Sequence, residues 1–347
     1  MNILVYGAGA IGGYLGSRLL QSGHQVVMLD RQEMADAINR DGIQVSEGGQ
    51  MVEVKPTAVS SLDETLAFEQ RYDLILMGLK SYDLPAALEQ LSRSAPDSAT
   101  IITVQNGIGI ERPFIDKFGA KRIVAGSLTT PVSKESGNVL VIERSDRGLG
   151  LAPTLRGQDI ETWVALFQEA GIPATGIDDY ESMKWSKALL NMIGNATSAI
   201  LKMPPGDIYG NNDTYDLEAR MLRETLAVMA KKQLQVVDLP GPSPRSLATA
   251  IRWAPRFLLK PVLTKLVSKG RGEKMPSFYI DLTSGRGMSE VIYHNGAVAE
   301  AGTAVGVKTP VNQVLNDVLL KLTSKEIDRE QFEGHPERLV AEVKRYE

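Results

Sequence analysis

Apolar positions follow two different rhythms along this chain, and the change falls near residue 175. In the first half, short runs such as "NILVYG", "HQVVMLD", "YDLILMGLK" and "ATIITVQNG" are nearly continuous, as in strands buried on both faces. Between them, "AIGGYLGSRLLQSG" and "SYDLPAALEQLSR" have helical spacing, the first closing on Gly23 as a C-cap. "GIQVSEGGQMVEVKP" alternates about Gly48-Gly49 and predicts a hairpin, and "RIVAGSLTT" and "NVLVIER" predict further strands. Strands alternating with helices predict a mostly parallel, doubly wound α/β sheet. Beyond the Gly- and Pro-containing "AGIPATGIDD", the stretches "DDYESMKWSKALLNMIGNATSAIL", "TYDLEARMLRETLAVMAKKQ" and "SEVIYHNGAVAEAGTAVG" are helical. The pattern predicts an α/β domain over 1–174 and a mainly helical domain over 175–347, with the charge-rich tail from Ser324 a solvated helix or a partly ordered end.

One helical stretch breaks its own rule. From Ala188 to Leu201 there is no charge, which argues for burial, yet Asn191 and Asn195 lie within it and Lys187 precedes them. On one continuous helix, steps of four advance about 40°, so Lys187, Asn191 and Asn195 would share a face with Ser198 and Lys184 near it. Trp185, Leu189, Met192, Ile193 and Ala196 would cover the other side. Buried asparagines need partners, and a substrate cleft provides them. The alternative for Lys187 is an ordinary surface lysine snorkelling from an amphipathic helix.

Composition narrows the chemistry. The chain has 347 residues, enough for about two domains and a core that needs no staples. It has no cysteine, which excludes disulfides, thiolate metal sites and cysteine nucleophiles. There is no signal-like start and no charge-free apolar run long enough to span a membrane, so the reading is cytoplasmic. A net charge of −4 gives no reason to expect nucleic acid. No H-E-x-x-H, P-loop or clustered metal ligands occur, and three histidines give little support to His–Asp or His–Arg dehydrogenase schemes.

The strongest motif is "GAGAIG": Gly7, Ala8, Gly9, Ala10, Ile11 and Gly12 follow a strand and open a helix. Asp30 ends the next strand, eighteen residues beyond Gly12. This is the context of a dinucleotide-binding turn, in which unpaired helix N–H groups meet the pyrophosphate. The competing reading is a tight connection only. Asp30 could accept a ribose 2′-hydroxyl, favouring NAD, and Arg31 could pair with a 2′-phosphate, favouring NADP; residue chemistry leaves the two even. Lys80, after "LMGL", and Gln105-Asn106-Gly107 fall at strand ends on the same ligand-binding edge.

Five stretches together resemble the ketopantoate reductase (2-dehydropantoate 2-reductase) family: "GAGAIGGYLG", "LMGLKSYDL", "VQNGIG", "MKWSKALLNMIGNATSAI" and "SEVIYHNGAVAEAG". The resemblance implies an N-terminal Rossmann-type domain, an all-helical second domain, and NADPH-dependent reduction of 2-dehydropantoate to pantoate on the way to pantothenate and coenzyme A. It implies Lys187 as the catalytic lysine, Asn191 and Asn195 as substrate-pocket asparagines, and Asn106 near nicotinamide and substrate. It implies Lys80 at the strand–helix junction, Arg31 as a 2′-phosphate contact that tips the cofactor to NADP, Ser277 with Asp281 as its partner, and Glu290 on the substrate. Two departures stand out. "GRGMSEVI" has one residue more than the family pattern between Arg286 and Glu290, and Ile292 replaces its aspartate. Asp30 stands where many members carry an apolar residue, which keeps NADH in play.

In such a reaction a lysine ammonium polarises the ketone oxygen and donates the proton, neutral asparagines bind a hydroxy-keto acid, and a carboxylate orients its hydroxyl. The alternatives are a reductase of another small 2-oxo acid and a dinucleotide-binding sensor without turnover. Residues 241–274 carry eight Lys or Arg and one acid, Glu273, interleaved with Trp253, Phe257, Leu258, Leu259, Val262, Leu263 and Leu266. The plain reading is a helical hairpin with a solvated face, broken or kinked at Pro255 and Pro261. A lid, a membrane-surface helix or an oligomer contact are the others, and a homodimer is left open.

Overall fold

The computed structural model describes all residues except 69–70, 95–98, 136–137 and 272–273. The chain forms two compact units. Met1–Asn106, Ile110–Met183 and Leu239–Pro242 make the first; Gly107–Gly109, Lys184–Asp238 and Ser243–Glu347 make the second.

Among its described residues, the first unit holds twelve strands in two sheets. They are β1 (Asn2–Tyr6), β2 (Gln25–Leu29), β3 (Ile43–Glu47), β4 (Gln50–Val54), β5 (Thr57–Val59), β6 (Leu74–Met77), β7 (Thr100–Thr103), β8 (Ile123–Leu128), β9 (Val132–Lys134), β10 (Val139–Ile142), β11 (Leu149–Pro153) and β12 (Ala174–Gly176). The large sheet runs β12-β11-β8-β7-β6-β1-β2-β5. Its β5-β2-β1-β6-β7-β8 portion is parallel throughout, the doubly wound order, and β11 joins β8 antiparallel. Continuous apolar runs suit this position: "LILM" of β6 is buried at every residue because helices cover both faces. The expected hairpin is the antiparallel pair β3–β4, and with β9 and β10 it forms a separate four-stranded sheet.

Register decides what the sheet presents. Tyr6 of β1 pairs with Leu29 of β2 and Met77 of β6, and Met77 pairs with Thr103 of β7. Four strands therefore end side by side. Gly7, Asp30, Gly78–Lys80 and Gln105-Asn106 continue directly from these ends.

The second unit is helical. Asn211 caps the long helix Asn212–Lys231 by accepting from the N–H groups of Asp213 (2.9 Å) and Thr214 (3.3 Å). That helix buries Tyr215, Met221, Leu222 and Leu226 in a core shared with Trp185, Phe278 and Leu315. The charge-rich end forms a helix, one of the two expected forms, and that helix is docked on the core rather than wholly solvated. Helix Pro336–Tyr346 buries Leu339 and Val343 in the same core, because its few apolar residues fall four apart.

The basic segment departs from expectation. It forms helices Pro244–Trp253 and Arg256–Arg271, with the break at Ala254-Pro255, whereas Pro261 lies inside the second helix. Leu259, Leu263 and Val267 face the core. The outward positions mix large apolar residues with cations: Trp253 is 81% exposed and Phe257 75%, Leu258, Val262 and Leu266 are also exposed, and so are Arg252 and Lys265. Two of the cations turn back onto the protein, Arg256 to Asp216 at 2.7 Å and Lys260 to Asn212 at 2.6 Å. Glu273 lies outside the described residues. Among the described residues, no helix is long and apolar enough to cross a membrane.

Candidate functional site

Each unit carries its own set of polar groups. In the first, the glycine loop leads from β1 into α1 (Ala10–Gln21). A methyl group on Gly12 would stand 1.9 Å from the Gly7 carbonyl oxygen, and one on Gly78 would stand 2.5 Å from the same oxygen. Packing of the chain against itself therefore demands glycine at both positions. Gly9 is different. It caps α1 with ordinary extended dihedrals, and a methyl built there meets no atom within 4 Å. A tight connection alone explains Gly12 but not Gly9, where the open side of the backbone faces room suited to a ligand phosphate. No side chain caps the first turn of α1, so its N–H groups also point to that space.

Asp30 and Arg31 lead into α2 (Gln32–Asp41), with Arg31 at the cap position. The Asp30 carboxylate accepts from the Ala8 N–H at 2.6 Å and from the Arg31 N–H at 2.8 Å. It is a strut between the glycine loop and α2, a use that the sequence motif does not distinguish from ribose binding. Lys80 is exposed and caps the short turn Ser81–Asp83. Asn106 follows β7, and its carbonyl accepts from Ser81 Oγ at 3.0 Å. The adjacent Gln105 is buried and donates from Nε2 to the Met77 carbonyl at 2.6 Å, stitching the ends of β6 and β7 together.

One cation at this edge had no motif to mark it. Lys134 ends β9, pairs with Leu140 of β10, and sets its Nζ 3.1 Å from Met34 Sδ on α2. Burial pushes its ammonium pKa down, Asp30 acts to raise it, and Arg31 acts to lower it. The three charges thus share one neighbourhood. No local pattern reveals this, because Lys134 and Met34 lie a hundred positions apart in the chain.

In the second unit the polar stripe is not one helix. The helix Tyr180–Met192 carries Lys187 and Asn191, then stops, and Ala196–Leu201 is a new helix with Asn195 at its cap. Gly194 turns the chain with φ +56°. Asn195 is therefore held by the bend and not by helical phase. Its Nδ2 donates to the Asn191 carbonyl at 3.1 Å and meets Ser277 Oγ at 3.4 Å, and its Oδ1 accepts from the Phe278 N–H at 3.2 Å. Trp185, Leu189, Met192 and Ala196 are buried as expected, and Ile193 is half-buried. Lys187 is half-buried, whereas Lys184 is almost fully buried.

Glu218 explains the bend. Its fully buried carboxylate accepts from Gly194 N–H (2.8 Å), Thr197 Oγ1 (2.6 Å) and Tyr209 OH (3.0 Å). A glutamate inside the otherwise apolar stripe of helix 212–231 was the signal available for it.

Ser277 opens helix Ser277–Thr283, with Asp281 buried one turn later; its hydroxyl meets Asn195 instead of the expected aspartate. Glu290 opens a turn of 3₁₀-helix, Glu290–Tyr293, capped by Ser289. The expected helix from Ser289 onward is thus broken at His294, and Asn295–Val305 follows. His294 Nδ1 lies 3.1 Å from the Glu290 carbonyl, and the imidazole packs edge-on to Phe278 with ring centroids 5.2 Å apart. Asn195, Ser277–Phe278, His294 and Glu290 therefore form one connected cluster. The Tyr293 hydroxyl has its pKa raised by burial first and by Glu290 second. Gly107 lies against this turn. A methyl on it would come 2.6 Å from Tyr293 Cβ, and Ile108 N–H donates to the Tyr293 carbonyl at 2.8 Å.

Similarity to known proteins extends over both units. Residues 3–148 match the family model described as ketopantoate reductase PanE/ApbA, and residues 179–323 match the model of its C-terminal part. A 2-dehydropantoate 2-reductase of Pyrococcus horikoshii is 27% identical over 320 residues, covering 91% of this chain and 95% of that protein. One of Aquifex aeolicus is 23% identical over 323 residues, with 92% and 96% covered. Among solved structures, a PanE/ApbA family ketopantoate reductase from Ralstonia eutropha JMP134 superposes with TM-score 0.78 at 24% identity, covering 94% of this chain and 99% of that one. D-mandelate dehydrogenase with NADH and anilino(oxo)acetate also gives 0.78, at 22% identity and the same coverage. The two model matches together cover most of the chain, and this protein belongs to the ketopantoate reductase PanE/ApbA family.

Proposed function

We propose that this protein is an NADPH-dependent reductase of a small 2-oxo acid, in the simplest case converting 2-dehydropantoate to pantoate. The observation that carries the reading is the Asn195–Ser277–Glu290 cluster in the same helical unit as Lys187, in a chain whose other unit holds the glycine loop. The residues present fit a dinucleotide: Gly9 leaves room that no packing requirement explains, and the first turn of α1 offers unpaired donors. Gly7 to Gly12 would hold the pyrophosphate, with Asp30, Arg31, Lys80 and Asn106 along the same strand edge. Bound there, the cofactor supplies the hydride.

Everything else falls to side chains. Lys187 Nζ gives its proton to the carbonyl oxygen as that oxygen gains negative charge, the role of a general acid and an electrostatic stabiliser together. Asn191 and Asn195 orient the substrate with neutral donors and acceptors. Ser277 meets the substrate carboxylate, and Glu290 holds a substrate hydroxyl.

A second reading has its own support. Ile292 stands where the family pattern has an aspartate, and D-mandelate dehydrogenase, which handles an aryl 2-hydroxy acid by its name, shares the fold. Oxidation of NADPH and NADH is to be measured with 2-dehydropantoate and with branched and aryl 2-oxo acids. Turnover of 2-dehydropantoate with the highest kcat/KM supports the first reading, and preference for another 2-oxo acid supports the second. Tight dinucleotide binding without turnover of any would leave only the sensor. Lys187→Ala should lower kcat about 10²- to 10⁴-fold, the loss typical of a general acid. Wild-type turnover in that variant rejects the role.

A further inference from the structure

We infer that Lys134 and Arg31 act as a two-pronged cation site for the adenosine 2′-phosphate of the cofactor, and that Lys134 is the prong that makes such binding compatible with Asp30. The inference rests on the dinucleotide reading above and deepens it.

Asp30 is the starting difficulty. A carboxylate at the end of the second strand suits a ribose diol and repels a 2′-phosphate. Here it accepts from the Ala8 and Arg31 N–H groups, so moving it away from an incoming phosphate would break both hydrogen bonds. A 2′-phosphate carries a charge of about −1.5 to −2 near neutral pH. Set beside Asp30, that makes an excess of negative charge that a single arginine leaves uncancelled. A second cation would offset that excess, and Lys134 interacts with both Asp30 and Arg31.

Three observations bear on Lys134. Its Nζ rests on Met34 Sδ at 3.1 Å, and Met34 is one helical turn from Arg31, whose carbonyl accepts the Met34 N–H at 2.9 Å. The ammonium is half-buried and desolvated, and its Nζ lies against that sulfur, a weak acceptor. It is also electrostatically coupled to both Asp30 and Arg31. Holding two cations together, one of them partly dry and resting on a thioether, costs free energy that an anion between them would return. The backbone makes the placement firm. Lys134 pairs with Leu140, and the Leu140 side chain lies 3.0 Å from where a methyl on Gly13 of α1 would be, so β9 is fixed relative to the glycine loop.

The test is equilibrium binding of the full chain, read by the fluorescence of NADPH and NADH. Wild type should bind NADPH more tightly than NADH. Lys134→Met, of similar length and without charge, should weaken NADPH about ten- to a hundredfold and leave NADH within about twofold, the range for losing one charge-assisted contact. Lys134→Arg should keep most of the NADPH affinity. NADH binding is the internal check that the variant is folded. Equal weakening of both cofactors would mean that Lys134 is only structural, and no change in either would mean that it makes no contact; each overturns the pair and spares the dinucleotide reading. A wild type that binds neither cofactor overturns that reading, and the pair with it.

Discussion

Replacing Glu218 should separate a structural role from a catalytic one at a distance. The carboxylate is fully buried and accepts from Gly194 N–H, Thr197 Oγ1 and Tyr209 OH. In Glu218→Ala these donors lose their acceptor. The two hydroxyls can rotate towards others, but the Gly194 N–H is fixed by the bend and cannot. An unsatisfied buried donor costs about 1–3 kcal/mol, and breaking a buried charged network costs about 3–5 kcal/mol. The expected destabilisation is therefore about 3–5 kcal/mol. Glu218→Gln keeps one acceptor oxygen for Gly194 and should cost about 1–2 kcal/mol. Urea unfolding can be followed by Trp185, which is buried in the same unit, with Trp163 and Trp253 replaced by Phe to remove their signals. The glutamine variant should also raise KM for the oxo acid more than it lowers kcat, because the bend places Asn195 and not Lys187. A loss below about 1 kcal/mol in Glu218→Ala would refute the argument that this carboxylate holds the bend.

Gly9→Ala and Gly12→Ala should fail in opposite ways. The first meets no protein atom and should melt like wild type while losing dinucleotide affinity; the second puts a methyl 1.9 Å from the Gly7 oxygen and should lower the melting temperature in the absence of any ligand. Equal melting temperatures for the two would contradict the packing argument. The preference for NADPH over NADH should also depend on pH in a definite direction. Burial sets the Lys134 pKa below its ordinary value in the free protein, and a bound phosphate raises it, so binding NADPH takes up a proton between the two. NADPH affinity should then fall as pH rises through the lowered pKa, and NADH affinity should not. Parallel pH profiles for the two cofactors would remove Lys134 from the site.

What could be read from the chain, and what could not, follows from the range of the interactions involved. Strands β1, β2, β6 and β7 are legible because burial on both faces writes itself as an unbroken apolar run. The glycine loop is legible because backbone sterics act within a few residues. Strand β9, with three half-buried residues, leaves no such trace, and Lys134 gains its meaning only from Met34 and Asp30, about a hundred positions away. The continuous helix over 184–201 failed for a related reason. Every residue there is compatible with a helix, and the turn at Gly194 is decided by Glu218, twenty-four positions later.

On the proposed function, that bend changes how the helical unit would recognise a substrate. On an unbroken helix, Asn195 would be locked in phase with Lys187, and any adjustment of one would move the other. As built, Asn195 is a helix cap tied to Ser277 and Phe278, and through Phe278 and His294 to the turn that presents Glu290. Lys187 rides on a separate helix packed by Trp185 and Leu189. The proposed proton donor and the proposed recognition groups are thus mounted on different elements of one core. If the proposed roles hold, changes around Glu290, such as the extra residue after Arg286 and Ile292, alter which oxo acid is held without disturbing the lysine. On this view substitutions at 288–292 should shift relative kcat/KM among 2-oxo acids, whereas Lys187→Ala should depress all of them alike. A variant at Ile292 that lowers kcat uniformly for every substrate would show that the two are not mechanically separate.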